Sequence, residues 1–192
     1  MKLLEEKILE KGKVLSGGVL KVGSFLNQNI DVKLLMEMGK EVKNHFNDKK
    51  ITKVLTVEAS GIAFAVAVAN AIGVDMVFAK KTKAQNSDGA LYTAECYSYT
   101  RKVSNILALP KDYLTDNDKV LIVDDFMAHG KATDALIEIV NQSGAKLVGV
   151  AIEVEKGFQG GGDKLRGKGI DLLSLAIVDQ MEEGKIVFRK QK

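Results

Sequence analysis

Twice in this chain, a strand-forming run is followed by a helical run and then by a second strand-forming run. The strand-forming runs are rich in β-branched and aliphatic residues, and the helical runs repeat apolar residues every three or four positions. This alternation predicts an α/β fold, with a central, mainly parallel sheet flanked by helices. Ligands of such sheets bind beyond the carboxyl ends of the strands, so a functional site is expected at the strand-to-helix turns. The two units are 52–57, 60–72 and 75–79, and 119–123, 130–142 and 146–154.

Local signals outside these units are weaker. Residues 2–12 and 31–48 have helical spacing, and Asp31 is the expected N-cap of the second helix. The interval 13–29 shows no periodicity and is expected to be irregular.

A hairpin is predicted between the two units. Residues 91–109 contain two strand-like runs joined around 99–102, and the polar approach 81–89 is expected to be mobile. The glycine cluster 160–162 is expected to be a flexible loop. The length of 192 residues fits one domain.

Composition excludes several classes of protein. The one cysteine, Cys96, allows no internal disulfide, and with only two histidines a zinc site is not expected. The net charge of +3 and three arginines do not indicate a nucleic-acid binder. Charged residues near the N-terminus and the short apolar run 61–74 predict neither a signal peptide nor a membrane span, so a cytoplasmic location is expected.

The most informative motif is Val-Leu-Ile-Val-Asp-Asp-Phe-Met-Ala-His-Gly-Lys-Ala-Thr at 120–133. Asp124 and Asp125 follow four apolar strand residues, and buried carboxylates are unfavourable unless a partner contacts them. An N-cap explains one acid only, and the helix is expected to begin several residues later. The small residues between acids and helix turn backbone N–H groups towards a helix N-terminus, an arrangement that binds phosphate. The motif predicts a site for a phosphorylated sugar.

Two further strand ends carry polar residues. Glu58 and Ser60 lie in the turn after 52–57, where Ser60 is a candidate N-cap; an ordinary capped helix is the alternative interpretation. Lys80 and Lys81 follow the next strand, where cations would stabilise a departing anion, although a solvated strand end has the same pattern.

The 120–133 motif resembles the signature of the type I phosphoribosyltransferases. The resemblance implies that Asp124 and Asp125 face the ribose hydroxyls of phosphoribosyl pyrophosphate (PRPP). It assigns the 5′-phosphate to Ala128, His129, Gly130, Lys131 and Ala132, with Thr133 next, and the pyrophosphate to Glu58, Ser60, Lys80 and Lys81. Many members have Thr-Gly-Gly-Thr where this chain has His-Gly-Lys-Ala, so two threonine hydroxyls are missing. Whether Lys131 faces the phosphate or solvent is left open.

The resemblance extends over the whole chain and narrows to the bacterial xanthine phosphoribosyltransferases. It implies a flexible hairpin lid over 81–99 and a base-binding hood made of 1–30 and about 157–192. It also implies Mg²⁺ carried by PRPP and a homodimer. Xanthine is expected to contact Leu20, Asn27 and Lys156. The segments that carry this resemblance are 14–16, 19–22, 24–27, 30–31, 155–159 and 182–185.

The residues support a 6-oxopurine independently. Lys156 follows a strand of the predicted sheet, and its ammonium only donates hydrogen bonds, so it selects a carbonyl at purine C6 over the amine of adenine. Guanine and hypoxanthine share that carbonyl and stay open as alternatives.

Two other classes of protein fit the sequence less well than a transferase. A non-catalytic PRPP-sensing regulator needs an output module, and the α/β domain with its hood uses the whole length. A Rossmann-type dinucleotide binder needs Gly-x-Gly-x-x-Gly after a strand, and neither strand-to-helix turn has it.

Overall fold

A computed structural model describes residues 1–15, 17–82, 90–98, 103–182 and 184–191. An eight-stranded sheet forms its centre, in the order β10-β9-β8-β7-β3-β4-β6-β5, and β1 pairs with β2 in a separate hairpin. The strands are β1 (Lys13–Leu15), β2 (Val19–Lys21), β3 (Lys53–Val57), β4 (Asp75–Thr82), β5 (Leu91–Ser98), β6 (Val103–Pro110), β7 (Lys119–Met127), β8 (Lys146–Lys156), β9 (Leu172–Glu182) and β10 (Lys185–Phe188). The predicted α/β class and mainly parallel sheet are confirmed.

The five inner strands β9, β8, β7, β3 and β4 are parallel, and antiparallel pairs extend the sheet at both edges. Both faces of the inner strands are buried. In β7, Leu121 and Val123 belong to one hydrophobic core, whereas Val120 and Ile122 belong to the other. Such burial on both faces explains the uninterrupted apolar run before the two aspartates.

Helices cover both faces of the sheet. They are α1 (Lys2–Lys11), α2 (Val32–His45), α3 (Gly61–Ile72), α4 (Lys131–Ser143) and α5 (Gly161–Gly167). The first three contribute to one core and α4 to the other. The N-cap prediction for α2 is confirmed, because Asp31 accepts a hydrogen bond of 3.2 Å from the Leu34 N–H.

Three local predictions were wrong. The interval 13–29 contains the β1–β2 hairpin, whose three-residue strands are too short to show a period. The cluster 160–162 leads into α5 and is packed, since Gly161 and Gly162 are buried. β7 and β8 run further than predicted, because their ladder continues to the pair Met127–Glu155.

The hairpin of β5 and β6 is confirmed, although its expected turn at 99–102 and most of the polar approach, 83–89, lie outside the described residues. The predicted hood is divided between two positions. Residues Leu20, Val22 and Phe25 pack into the core shared with α1, α2 and α3, while β9 and β10 are strands of the central sheet. None of the described helices has the length and apolar character needed to cross a membrane.

Candidate active site

Asp124 and Asp125 lie near the carboxyl end of β7, inside the strand and not in a loop after it. Asp124 is 4% exposed and Asp125 is half-buried. The Asp125 N–H donates to Asp124 Oδ1 over 3.0 Å. The strand therefore fixes both carboxyl groups at the edge of the sheet that is formed by the carboxyl ends of its parallel strands. Ligands of parallel sheets bind at this edge.

Burial raises the pKa of Asp124 well above its usual range, and the neighbouring charge of Asp125 raises it further. The Lys81 ammonium on β4 opposes this shift. The charged form of Asp124 is thus poorly stabilised by the protein alone, and a ligand that donates hydrogen bonds or carries positive charge would stabilise it.

A third acid, Glu153 on β8, belongs to this edge and was missed from the sequence. It is 2% exposed, and burial together with Asp125 and Asp124 raises its pKa well above the usual range. The signal was present: Glu153 interrupts the apolar run that ends at Val154. Glu153 was missed because a lone acid in such a run resembles a solvent-facing residue of a strand.

The turn between β7 and α4 holds the residues expected to bind phosphate. Gly130, with φ of +75°, occupies the N-cap position of α4, where a side chain would be strained. Lys131 begins the helix and is exposed, while Thr133 is 2% exposed. Unpaired N–H groups and the helix dipole make this end of α4 attractive to an anion. Of the other residues expected there, Ala128 and Ala132 are half-buried and His129 is exposed.

This turn is held from the β8 side. The Gly161 N–H donates to the Ala128 carbonyl over 3.1 Å, and His129 Nδ1 lies 3.2 Å from the Gln159 carbonyl oxygen. These contacts join the α4 turn to the segment that follows Lys156.

The turn after β3 approaches the same edge. Glu58 Oε1 accepts from the Lys81 N–H over 2.7 Å, which ties this turn to β4. Ser60 occupies the N-cap position of α3 but makes no side-chain capping bond, so the predicted cap is not formed. A Cβ at Gly61 would lie 2.8 Å from Asp124 Oδ1, and only glycine allows that approach.

The two lysines of β4 have different neighbours. Lys81 acts electrostatically on Asp124 and Cys96, whereas the Lys80 ammonium lies 6.0 Å from the centre of the Phe78 ring. Alternation along a strand separates consecutive side chains onto opposite faces. Of the pair, Lys81 is the one associated with the aspartates.

Among the described residues, two buried polar side-chain atoms have no hydrogen-bond partner, Thr56 Oγ1 and Gln159 Oε1. Thr56 Oγ1 lies 2.5 Å from the position of a Gly61 Cβ, close to Asp124. Gln159 precedes the glycines that contact the α4 turn. Unsatisfied polar groups are uncommon in folded proteins, and both border this one edge of the sheet.

The residues expected to contact the base lie around the β1–β2 hairpin. Leu20 is buried, Asn27 is exposed, and both line a cavity of about 410 Å³. Lys156, the last residue of β8, donates to the Gly18 carbonyl over 3.0 Å and does not line that cavity. Burial lowers the pKa of Lys156. The ammonium has three donors, so its bond to Gly18 leaves others for a ligand.

Known proteins similar to this chain identify its family. The family model described as "Phosphoribosyl transferase domain" matches residues 22–165. A protein of Ruminiclostridium cellulolyticum named "Xanthine phosphoribosyltransferase" is 50% identical over 188 residues, which cover 98% of this chain and 99% of that protein. A protein of the same name from Bacillus mycoides is 46% identical, with 100% and 98% covered.

Solved structures show the same fold. The adenine phosphoribosyltransferase of Giardia lamblia in complex with 9-deazaadenine has a TM-score of 0.76 and 24% identity, covering 93% of this chain and 98% of that one. That of Thermoanaerobacter pseudethanolicus has a TM-score of 0.66 and 25% identity, covering 77% and 81%. With its type I phosphoribosyltransferase fold and its match to the family model and to these relatives, the chain belongs to the phosphoribosyltransferase family.

Proposed function

We propose that this chain transfers the 5-phosphoribosyl group of PRPP to xanthine, giving xanthosine 5′-monophosphate and pyrophosphate in purine salvage. The observation that carries the proposal is the order of groups along β7 and α4. Buried Asp124 and half-buried Asp125 lie near the carboxyl end of β7, and the short turn 128–130 after this strand leads into the N-terminus of α4. The names of the relatives at 46–50% identity support xanthine as the acceptor.

The phosphoribosyl group is held at this edge in our proposal. The backbone N–H groups from Ala128 to Thr133 bind the 5′-phosphate, which needs no threonine hydroxyl at the positions where this chain departs from many members. Exposure of the Lys131 side chain favours such backbone binding. Asp124 and Asp125 accept hydrogen bonds from the ribose hydroxyls.

Pyrophosphate is assigned to the neighbouring turn. The N-terminal end of α3 at Ser60 and the Lys81 ammonium provide the positive potential, and Glu58 fixes the turn to β4. Lys80, beside the Phe78 ring, is expected to contribute less.

The reaction needs no protein nucleophile. A purine nitrogen forms a bond to the anomeric carbon, the bond from that carbon to pyrophosphate oxygen breaks, and pyrophosphate leaves with the electron pair. The proton of the attacking nitrogen is released. As positive charge develops on the ribose, Asp124 and Asp125 stabilise it electrostatically. The proposed lid over 81–99, of which 83–89 and 99 are not described, excludes water.

Mg²⁺ is proposed to enter with PRPP as part of the substrate. The donor set at the edge, the carboxylates of Asp124 and Asp125, consists of hard oxygens, which suit this ion. Within the described ranges, no group of three or more His, Cys, Asp or Glu residues is arranged to hold a metal. In our proposal these carboxylates and the PRPP oxygens would hold the ion, which would neutralise phosphate charge.

Base selection is assigned to the hood. A Lys156 donor pairs with the C6 carbonyl of xanthine, the Asn27 amide pairs with the C2 carbonyl, and Leu20 covers the ring. Adenine carries an amine at C6 and would leave one donor of the half-buried ammonium unpaired, which costs about 1–3 kcal/mol.

The decisive experiment is a coupled assay of pyrophosphate release with PRPP and xanthine, guanine, hypoxanthine or adenine. Fastest release with xanthine supports the proposal. Fast release with adenine and none with xanthine contradicts it, and faster release with guanine or hypoxanthine reassigns the acceptor. PRPP binding with no release for any base would indicate the non-catalytic regulator.

The remaining expectations concern the environment of the enzyme. We propose a homodimer in the cytoplasm without nucleic-acid or membrane partners. Sedimentation equilibrium measures the oligomeric state, and a monomer across the micromolar range would contradict the dimer.

A further inference from the structure

The glycine pair Gly161–Gly162 at the start of α5 has no role in the function described above. Both residues are buried. They contact the turn before α4 on one side and the end of β8 on the other, the two places to which the phosphate and the base are assigned.

Gly161 braces the α4 turn. Its N–H donates to the Ala128 carbonyl over 3.1 Å. A Cβ on Gly161 would overlap that carbonyl oxygen and would lie 2.7 Å from the Gly130 nitrogen. Both obstacles are backbone atoms of the turn, so no side-chain rotation relieves the overlap. Any larger residue must displace the turn itself.

Gly162 braces the end of β8. A Cβ there would overlap the carboxylate of Glu155, which is fully buried next to Lys156. That carboxylate cannot move away freely, because Arg166 donates to its two oxygens over 2.9 and 2.8 Å and Ser174 Oγ donates to Oε2. Displacing this carboxylate would disturb Glu155, the β8 residue directly before Lys156.

We infer that Gly161 and Gly162 are positioning residues that hold the phosphate turn and the base-binding end of β8 in a fixed relation. The inference rests on the proposed function. Joining a purine nitrogen to the anomeric carbon requires the two reactants to meet within about 3–3.5 Å, and a displacement of about 1 Å can cost about a hundredfold in rate. Two adjacent residues without side chains allow one short helix to contact both subsites closely.

The test compares two variants with a matched control in the same helix. Gly161→Ala is expected to raise KM for PRPP about tenfold with little effect on KM for xanthine. Gly162→Ala is expected to do the reverse, because it acts on the strand end that carries Lys156. Gly167→Ala is the control, since a Cβ at Gly167 meets no atom within 4 Å. Steady-state kinetics and the melting temperature are measured for all three.

The two variants are expected to raise different KM values, one for PRPP and the other for xanthine. Destabilisation of the fold alone would not produce this difference. Equal changes in both KM values, or variants indistinguishable from Gly167→Ala, overturn the inference. An inactive wild-type chain defeats the proposed function instead, so the two failures are distinguishable.

A measurement on the wild-type protein covers the case of a variant that does not fold. Ribose 5-phosphate, which carries only the sugar and its phosphate, is expected to slow hydrogen exchange at the Gly161 amide. The Lys168 amide, bonded to the Leu165 carbonyl at the far end of α5, is the internal control and is expected to stay unchanged. Saturating ribose 5-phosphate that protects the α4 turn without slowing exchange at Gly161 overturns the inference.

Discussion

Two glutamates on β8 separate the structural part of this sheet edge from its functional part. Glu153 and Glu155 are 2% and 0% exposed and only two positions apart. Glu155 is paired with Arg166 and Ser174, whereas the charges acting on Glu153 are those of Asp124 and Asp125. Burying an unpaired charge is unfavourable, and removing the cation from a buried ion pair destabilises the fold. Among the described residues, Asp124 and Asp125 form no direct ion pair, and we propose that the substrate supplies the compensating charge there.

The largest expected effect comes from Asp124 and Asp125, the acids without a direct ion pair among the described residues. Replacing Asp124 and Asp125 together with Asn is expected to lower kcat at least about 1,000-fold, on the order of 4 kcal/mol, because the charge facing the developing positive ribose is removed. Stopped assays of nucleotide formation measure the rate. The melting temperature should not fall, since buried charge is removed, and near-normal turnover would refute the assignment.

A change at the Glu155–Arg166 ion pair is expected to alter the free energy of unfolding. Arg166→Met leaves the Glu155 carboxylate buried without its cation and is expected to reduce the free energy of unfolding by about 3 kcal/mol. Urea denaturation at neutral pH measures it, with Lys164→Met on the same helix as control, because the pair that Lys164 forms with Asp134 is partly exposed to solvent. A loss no greater than that of the control would show that Glu155 is stabilised in another way.

Glu153→Gln is expected to raise the free energy of unfolding, whereas Arg166→Met lowers it. Because burial raises the pKa of Glu153 in the folded state, the folded chain binds more protons than the unfolded chain above about pH 4.3, and stability falls as pH rises. Removing the carboxyl should raise the free energy of unfolding by about 1–2 kcal/mol at pH 8 and change it little at pH 4. Equal stability of variant and wild type at pH 8 would show that Glu153 is compensated.

The smallest expected effect concerns the cation nearest the aspartates. Lys81→Met is expected to raise KM for PRPP about fivefold, close to 1 kcal/mol, because one positive charge facing the pyrophosphate is lost. Lys80→Met, on the adjacent residue beside Phe78, should leave KM within about twofold. Steady-state kinetics with varied PRPP distinguish them, and a larger effect at Lys80 would reverse the assignment.

The features of the molecule that could be predicted from the sequence are those that local patterns encode. The strand–helix–strand units and the adjacency of Asp124 and Asp125 to a helix N-terminus needed only apolar spacing and the behaviour of buried charge. Glu153 left a local signal, because it interrupts an apolar run, but its burial depends on neighbouring strands. The contacts of Gly161 and Gly162 join distant segments, which no local pattern encodes. The proposed base contacts of Leu20 and Asn27 came from resemblance alone, since the short β1–β2 hairpin has no periodicity that would identify it.

Titration calorimetry of the wild-type chain with PRPP and Mg²⁺ measures whether the proposed site binds an activated sugar phosphate. If the uncompensated carboxyl groups and the α4 turn form the site for an activated sugar phosphate, saturable heat is expected at a single site. Hydrogen exchange at 128–132 should slow in the same complex. A folded chain that gives no saturable heat and no protection of that turn would contradict the account.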